Sequence, residues 1–190
     1  VQQLLDAAAE VIAASGVDNA TTNAIAARAG TSVGVLYKFF PNKQAIVEAL
    51  ALRYIGEIEQ FLSRQEQAGI AGWPLEEAID WIVRAIMDFH RTHPAYQHVY
   101  RAVRGASGER GVLLLDQARR VIGHLLALRM PAVPAERLEW HAITAVEAAH
   151  ALVVQASILP PERGEKLIEE TVILLTRYLS PDYAPRTDAS

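Results

Sequence analysis

Ser32, Tyr37, Lys38 and Lys43 stand close together near the start of the chain, and all could grip a nucleic acid. Hydroxyls and two ammonium groups are the chemistry that phosphate oxygens and base edges accept. To work together these side chains need two short helices held at a fixed angle. The intervening residues supply the signals for that arrangement. Thr21 or Thr22 can cap a helix over 23–29, which Gly30 ends; Thr31 and Ser32 open a second over 33–39, which Pro41 terminates. A tight glycine-containing turn between two short helices, braced by an amphipathic helix in front, is what a helix-turn-helix requires.

The bracing helix is predicted over 2–15, with Leu5, Ala8 and Ile12 on one face and Gly16 as its stop. Ile25, Ala26 and Ala29 should pack against Leu36 and Phe40. The second short helix then presents Ser32, Val33, Gly34, Tyr37 and Lys38 outward. The free N–H groups at its start, aided by the Ser32 hydroxyl, suit a phosphate. Asn42 caps a long helix reaching about residue 66, with a stripe of Val47, Leu50, Tyr54, Ile58, Phe61 and Leu62. Further helices are predicted near 75–92, 95–104, 112–129, 135–157 and 162–179. Their punctuation is Pro94, a Gly105/Gly108/Gly111 loop, Pro131 with Pro134, and Pro160 with Pro161. No stretch alternates as a strand would. The expected fold is all-α, about nine helices, with a helix-turn-helix domain at 1–45, a helical domain at 46–180 and a flexible tail at 181–190.

The stretch LLDAAAEVIAASGVDNATTNAIAARAGTSVGVLYKFFPNKQAIVEAL closely resembles the N-terminal domain of the TetR family of transcriptional regulators. The motifs that carry the likeness are ATTNAIAARAG and then S-x-G-x-LY-x-F-F-x-N-K. The resemblance implies a DNA-binding repressor. It places Thr22 and Asn23 as phosphate or base contacts, and Ser32, Val33, Gly34 and Val35 at the groove-facing start of the recognition helix. Tyr37 and Lys43 match the family's phosphate-contacting tyrosine and lysine, and Lys38 fills a position often aromatic or basic. Two departures stand out. Val33 occupies a position where many members carry Lys, Arg or Gln, and Val35 one where Thr or Ser is frequent. Either valine can touch a thymine methyl, but neither can hydrogen-bond a base edge. Base readout should therefore lean on apolar contacts and DNA shape. The basic arm that often precedes the first helix in the family is absent from the sequence, which starts at Val1.

Beyond this segment the likeness is one of architecture. The helix predicted over 135–157 has almost no polar surface: Ala142, Ala145, Ala149, Leu152 and Ala156 recur at 3,4,3,4 spacing as a seam of small residues. A second subunit is expected to cover that seam, met by a stripe on the last helix that includes Ile168, Leu175 and Tyr178. The resemblance implies a four-helix bundle between two subunits, hence a homodimer. Two histidines fall on apolar faces: His90 amid Ile79, Val83 and Ile86, and His150 amid Ile143, Val146 and Val153. With Phe89, Tyr96 and Tyr100 they outline a pocket for a small apolar or amphipathic effector; the competing reading of each histidine is a satisfied core residue. Trp81 lies opposite its helix's apolar stripe and is left out.

Composition fits these readings. The net charge of −4 argues mildly against nucleic acid, yet residues 1–45 balance Asp6, Glu10 and Asp18 against Arg28, Lys38 and Lys43. Local charge sets phosphate affinity. With no cysteine there is no thiol chemistry and no Cys-ligated zinc, which suits a reducing cytoplasm. No apolar run approaches the ~20 residues of a membrane span, and no cofactor motif is visible. A di-iron-type metalloprotein would use Glu147 and His150, a Glu-x-x-His pair, but needs a second such pair. The GASG stretch at 105–108 lacks the spacing of a hydrolase's nucleophile elbow. A helical adaptor without DNA binding is the remaining alternative.

Overall fold

A computed structural model describes residues 1–67, 69–105 and 110–180. The expected tail at 181–190 and the middle of the Gly105–Gly111 loop lie outside the described residues. Among those described there are nine α-helices and no strand. In chain order they are α1 (Gln2–Asn19), α2 (Thr22–Arg28), α3 (Val33–Phe39), α4 (Lys43–Gln67), α5 (Leu75–Thr92), α6 (Tyr96–Gly105), α7 (Arg110–Arg129), α8 (Ala135–Ile158) and α9 (Pro161–Leu179). A 3-10 turn, Ile70–Gly72, precedes α5.

The residues divide into two compact units, Val1–Gln60 with His90–Gln117, and Phe61–Phe89 with Ala118–Ser190. The first unit is thus larger than the DNA-reading segment, because α6 packs on α1. Its core takes Leu4, Leu5, Ala8 and Ile12 from α1 and Ile25, Ala26 and Leu36 from the two short helices; α4 adds Val47, Leu50 and Tyr54. Gly16 ends the regular helix begun at Gln2, as expected, with φ 75° and ψ 166°, and a further short turn carries α1 on to Asn19. A glycine tolerates this left-handed φ at little cost.

In the second unit α9 lies against α8. The two helices approach tightly at Gly164, where a Cβ would sit 2.6 Å from the Ala156 carbonyl oxygen. Glycine is needed there for space. The core of this unit gathers Ile79, Val83, Leu126, Met130, Leu138, Ala142, Ala145, Ala149, Val153, Ile168, Val172 and Leu175. Arg84 ties α5 to α9, bonding Asp80 at 2.9 Å and Glu165 at 2.6 Å. A smaller cluster of Ile70, Ala78 and Leu125 draws in Trp81, which stacks on Phe61 with centroids 5.2 Å apart. Trp81 is therefore not on a bare face as its helical phase suggested; a second apolar cluster receives it. No helix among the described residues is long and apolar enough to cross a membrane.

Candidate nucleic-acid interface

Each short helix is started by a side chain chosen for the purpose. Thr21 Oγ1 accepts from the Ala24 N–H at 3.1 Å, and Ser32 Oγ from the Val35 N–H at 3.3 Å. Asn42 does the same for α4, its Oδ1 accepting from the Ala45 N–H at 2.9 Å. Such caps satisfy donors that a helix start leaves open, at roughly 1 kcal/mol each. Between α2 and α3 the chain turns at Gly30, φ 64°. The N–H of Thr31 then bonds the Ala26 carbonyl at 2.9 Å. Ile25, Ala26, Ala29, Leu36 and Phe40 are all buried, so the expected packing of the two helices holds.

This packing fixes what α3 shows to solvent. Leu36 and Phe40 point inward, which turns Gly34, Val35, Tyr37 and Lys38 outward. Tyr37 is 49% exposed and Val35 37%, while Val33 is half-buried at the margin. Asn23 and Ser32 are exposed beside them. Thr22 and Tyr37 are brought together, their hydroxyls 3.2 Å apart, so the tyrosine is steadied by the neighbouring helix. Phe39, 52% exposed, belongs to the same surface and was missed from sequence. Its signal was available: with Leu36 and Phe40 inward, helical spacing sends position 39 outward.

Lys43 has internal partners as well as the place the resemblance gives it. Its Nζ donates to the carbonyls of Val17 at 2.8 Å and Asp18 at 2.9 Å. These belong to the last turn of α1, where carbonyls lack helical partners and a cation is favoured. The ammonium therefore has an internal task, bracing the end of α1. Arg28 is likewise engaged, in an exposed ion pair with Glu10.

The residues expected to hold an effector fall in both units. His90, Tyr96 and Tyr100 are buried together in the first. The His90 ring meets Tyr96 edge-on at 5.1 Å, and Tyr96 lies 6.2 Å from Tyr100 in a stacked arrangement. Gln97 Nε2 approaches His90 Nδ1 at 3.4 Å, and Tyr54 meets Tyr96 edge-on at 5.6 Å. Beside them His93 pairs with Glu57 at 2.9 Å. Burial pushes the phenols of Tyr54 and Tyr96 up from their ordinary value, so both stay neutral. Phe89 and His150 belong to the second unit, each half-buried.

The expected subunit seam needs correction. Ala142, Ala145, Ala149, Ala156, Ile168 and Leu175 are buried within the single chain, and Leu152 and Tyr178 are half-buried. The cause is the packing of α5, α7 and α9 around α8, which takes the small residues into the core of the unit. The outer faces are Trp140, Thr144, Ala151, Gln155 and Ile158 on α8, with Ile173 and Leu174 on α9, all exposed. Trp140 is 61% and Ile158 67% exposed. Glu147, a ligand in the metalloprotein alternative, is paired with Arg119. Among the described residues no group of three or more His, Asp or Glu is placed to hold a metal ion.

The first unit thus carries a helix-turn-helix with an exposed second helix, the architecture of a DNA-binding regulator. Comparison with known proteins gives the family. The model for bacterial regulatory proteins of the TetR family matches residues 4–50, and that for the tetracyclin repressor-like C-terminal domain matches residues 74–179. The chain belongs to the TetR family. A TetR-family transcriptional regulator from Streptomyces coelicolor is similar over 94% of this chain and 96% of that one, with 28% identity and a TM-score of 0.72. The regulator FadR from Bacillus subtilis, in complex with stearoyl-CoA, shares the fold at 18% identity and a TM-score of 0.68, covering 96% of this chain and 99% of that one. The fatty acid metabolism regulator protein of Bacillus subtilis (strain 168) is 38% identical over 65 residues, 34% of this chain. That match spans about a third of the relative's own length, 32%.

Proposed function

We propose that this chain is a ligand-responsive repressor that binds a palindromic operator as a homodimer and leaves it when a small apolar or amphipathic effector binds. The observation that carries the reading is the exposed face of α3, with Gly34, Val35, Tyr37 and Lys38 outward on a buried Ile25–Leu36–Phe40 frame. Nothing in the fold of that unit requires an exposed tyrosine and valine there, whereas a major groove offers both phosphate and thymine methyls. Work on chromosomal DNA would place the protein in the cytoplasm.

The second copy would cover the outer face of α8 and α9. Trp140 and Ile158, with Ile173 and Leu174, offer large exposed apolar side chains there. Isologous contact through such a face relates the subunits by a two-fold axis. It would set two recognition helices about 34–36 Å apart, in successive major grooves. The buried His90–Tyr96–Tyr100 group supports the effector reading, as a few polar atoms among aromatic rings are typical of small-molecule sites. The fold shared with the stearoyl-CoA-bound regulator is one that accommodates an amphipathic ligand in that protein. An effector acts only through its preference for one of two arrangements of the dimer.

Fluorescence anisotropy with duplexes enriched from a random library tests the DNA reading. Wild type should bind, and Tyr37→Ala and Lys38→Ala should each weaken binding at least tenfold. Equal affinity for all three proteins would remove α3 from the interface.

A further inference from the structure

We propose that the first turn of α3, Val33-Gly34-Val35, reads thymine 5-methyl groups, so that operator choice rests on thymine methyls rather than on hydrogen bonds to base edges. The inference rests on the DNA-binding reading above and names what that surface recognises. Three observations carry it. First, the outward positions of this turn have no hydrogen-bonding side chain: Val35 is 37% exposed, Val33 is half-buried beside it, and Gly34 has none. Second, the hydroxyl oxygens flanking the turn are tied to the fold by internal hydrogen bonds, which leaves them less capacity to read a base edge than free side chains would have. Ser32 Oγ caps α3 by accepting from the Val35 N–H, and Thr22 and Tyr37 share a hydrogen bond.

Third, the fold does not need a glycine at position 34. A Cβ there would meet only the Ser32 Oγ, at 3.8 Å, and the residue has ordinary helical backbone rather than positive φ. A helical glycine weakens a helix relative to alanine. Its use therefore lies outside the chain: it lets the helix backbone come closer to the floor of the groove. At that approach the flanking valines can reach methyl groups, which stand out from thymine in the major groove. The nearby Lys38 supplies charge toward the backbone of the duplex, but as a single flexible ammonium it selects bases poorly.

The test uses the full-length protein and a duplex recovered by selection from a random library. Each thymine is replaced in turn by deoxyuridine, which removes one methyl and leaves every hydrogen-bonding group in place. One or two positions per half-site should lose about fourfold in affinity, the fold-change of one buried methyl (~0.8 kcal/mol). Val35→Ala or Val33→Ala should bind the thymine and deoxyuridine forms of the matching position equally, which assigns the contact. Gly34→Ala should lose at least tenfold on both forms while its melting temperature holds or rises, since the substitution favours the helix. Tolerance of every deoxyuridine within twofold would overturn the proposal, as would a methyl effect that survives in both valine variants. Recovery of no duplex at all would instead remove the DNA-binding reading, and the proposal with it.

Discussion

Lys43→Ala separates two roles that the same side chain has been given. The resemblance makes Lys43 a phosphate contact, while the structure turns its ammonium onto the carbonyls of Val17 and Asp18 at 2.8 and 2.9 Å. Hydrogen bonds with a charged partner contribute about 1.5–3 kcal/mol each, and a cation at a helix C-terminus adds ~0.3–1 kcal/mol. Lys43 is only half-buried, so water takes over part of both bonds when it is lost. A net loss near 2 kcal/mol follows, rather than the sum. For a chain of this size that lowers the melting temperature by about 4–8 °C, read at one fixed protein concentration because assembly contributes to apparent stability. The companion assay is operator affinity across a salt series. A lost phosphate contact flattens the slope of log K against log salt by ~0.9. The bracing role predicts a lower melting temperature with the slope retained, and Lys38→Ala should show the reverse. An unchanged melting temperature with a flattened slope in Lys43→Ala would refute the bracing argument.

The same substitution should act with opposite sign at two glycines. Gly164→Ala must force the Ala156 carbonyl away, as its Cβ would lie at 2.6 Å, and should destabilise by about 1–3 kcal/mol in thermal or denaturant unfolding. Gly56→Ala in α4 meets nothing within 4 Å and should stabilise by ~0.5–1 kcal/mol; a gain at both sites would show that the α8–α9 crossing is looser than described. Trp140→Glu places a charge on the outer face of α8 and should convert the dimer to monomer in sedimentation velocity at micromolar protein. A dimer of undiminished strength would move the subunit contact elsewhere. His90→Leu should alter the response to effector while operator affinity stays within twofold, and a matching fall in both would make His90 a packing residue alone.

Local chemistry made most of the fold legible. α3 runs from Val33 to Phe39 as read, since Ser32 caps it and Pro41 forbids its continuation. Glycine and proline gave the other boundaries to within a residue or two. Gly16 leaves helical geometry where its position suggests, and a short turn then follows it to Asn19. The outward face of α3 was legible because helical phase sets Leu36 and Phe40 apart as its inward pair. α8 offers no such contrast: it is apolar on nearly all sides, so periodicity alone could not say which face meets α9 and which meets a partner. The small-residue seam went inward, where close approach was needed. The internal partners of Lys43 were hidden for a different reason. Its acceptors lie some 25 residues away in sequence, and no spacing rule connects a lysine to backbone carbonyls at that distance.

Hydroxyl-radical footprinting of the protein on a selected duplex tests the central claim most directly. A symmetric pair of recognition helices predicts two protected tracts on one face of the DNA, with centres about 10–10.5 base pairs or a multiple of that apart, both lost in Tyr37→Ala. A single protected tract, or one that Tyr37→Ala leaves intact, would contradict it.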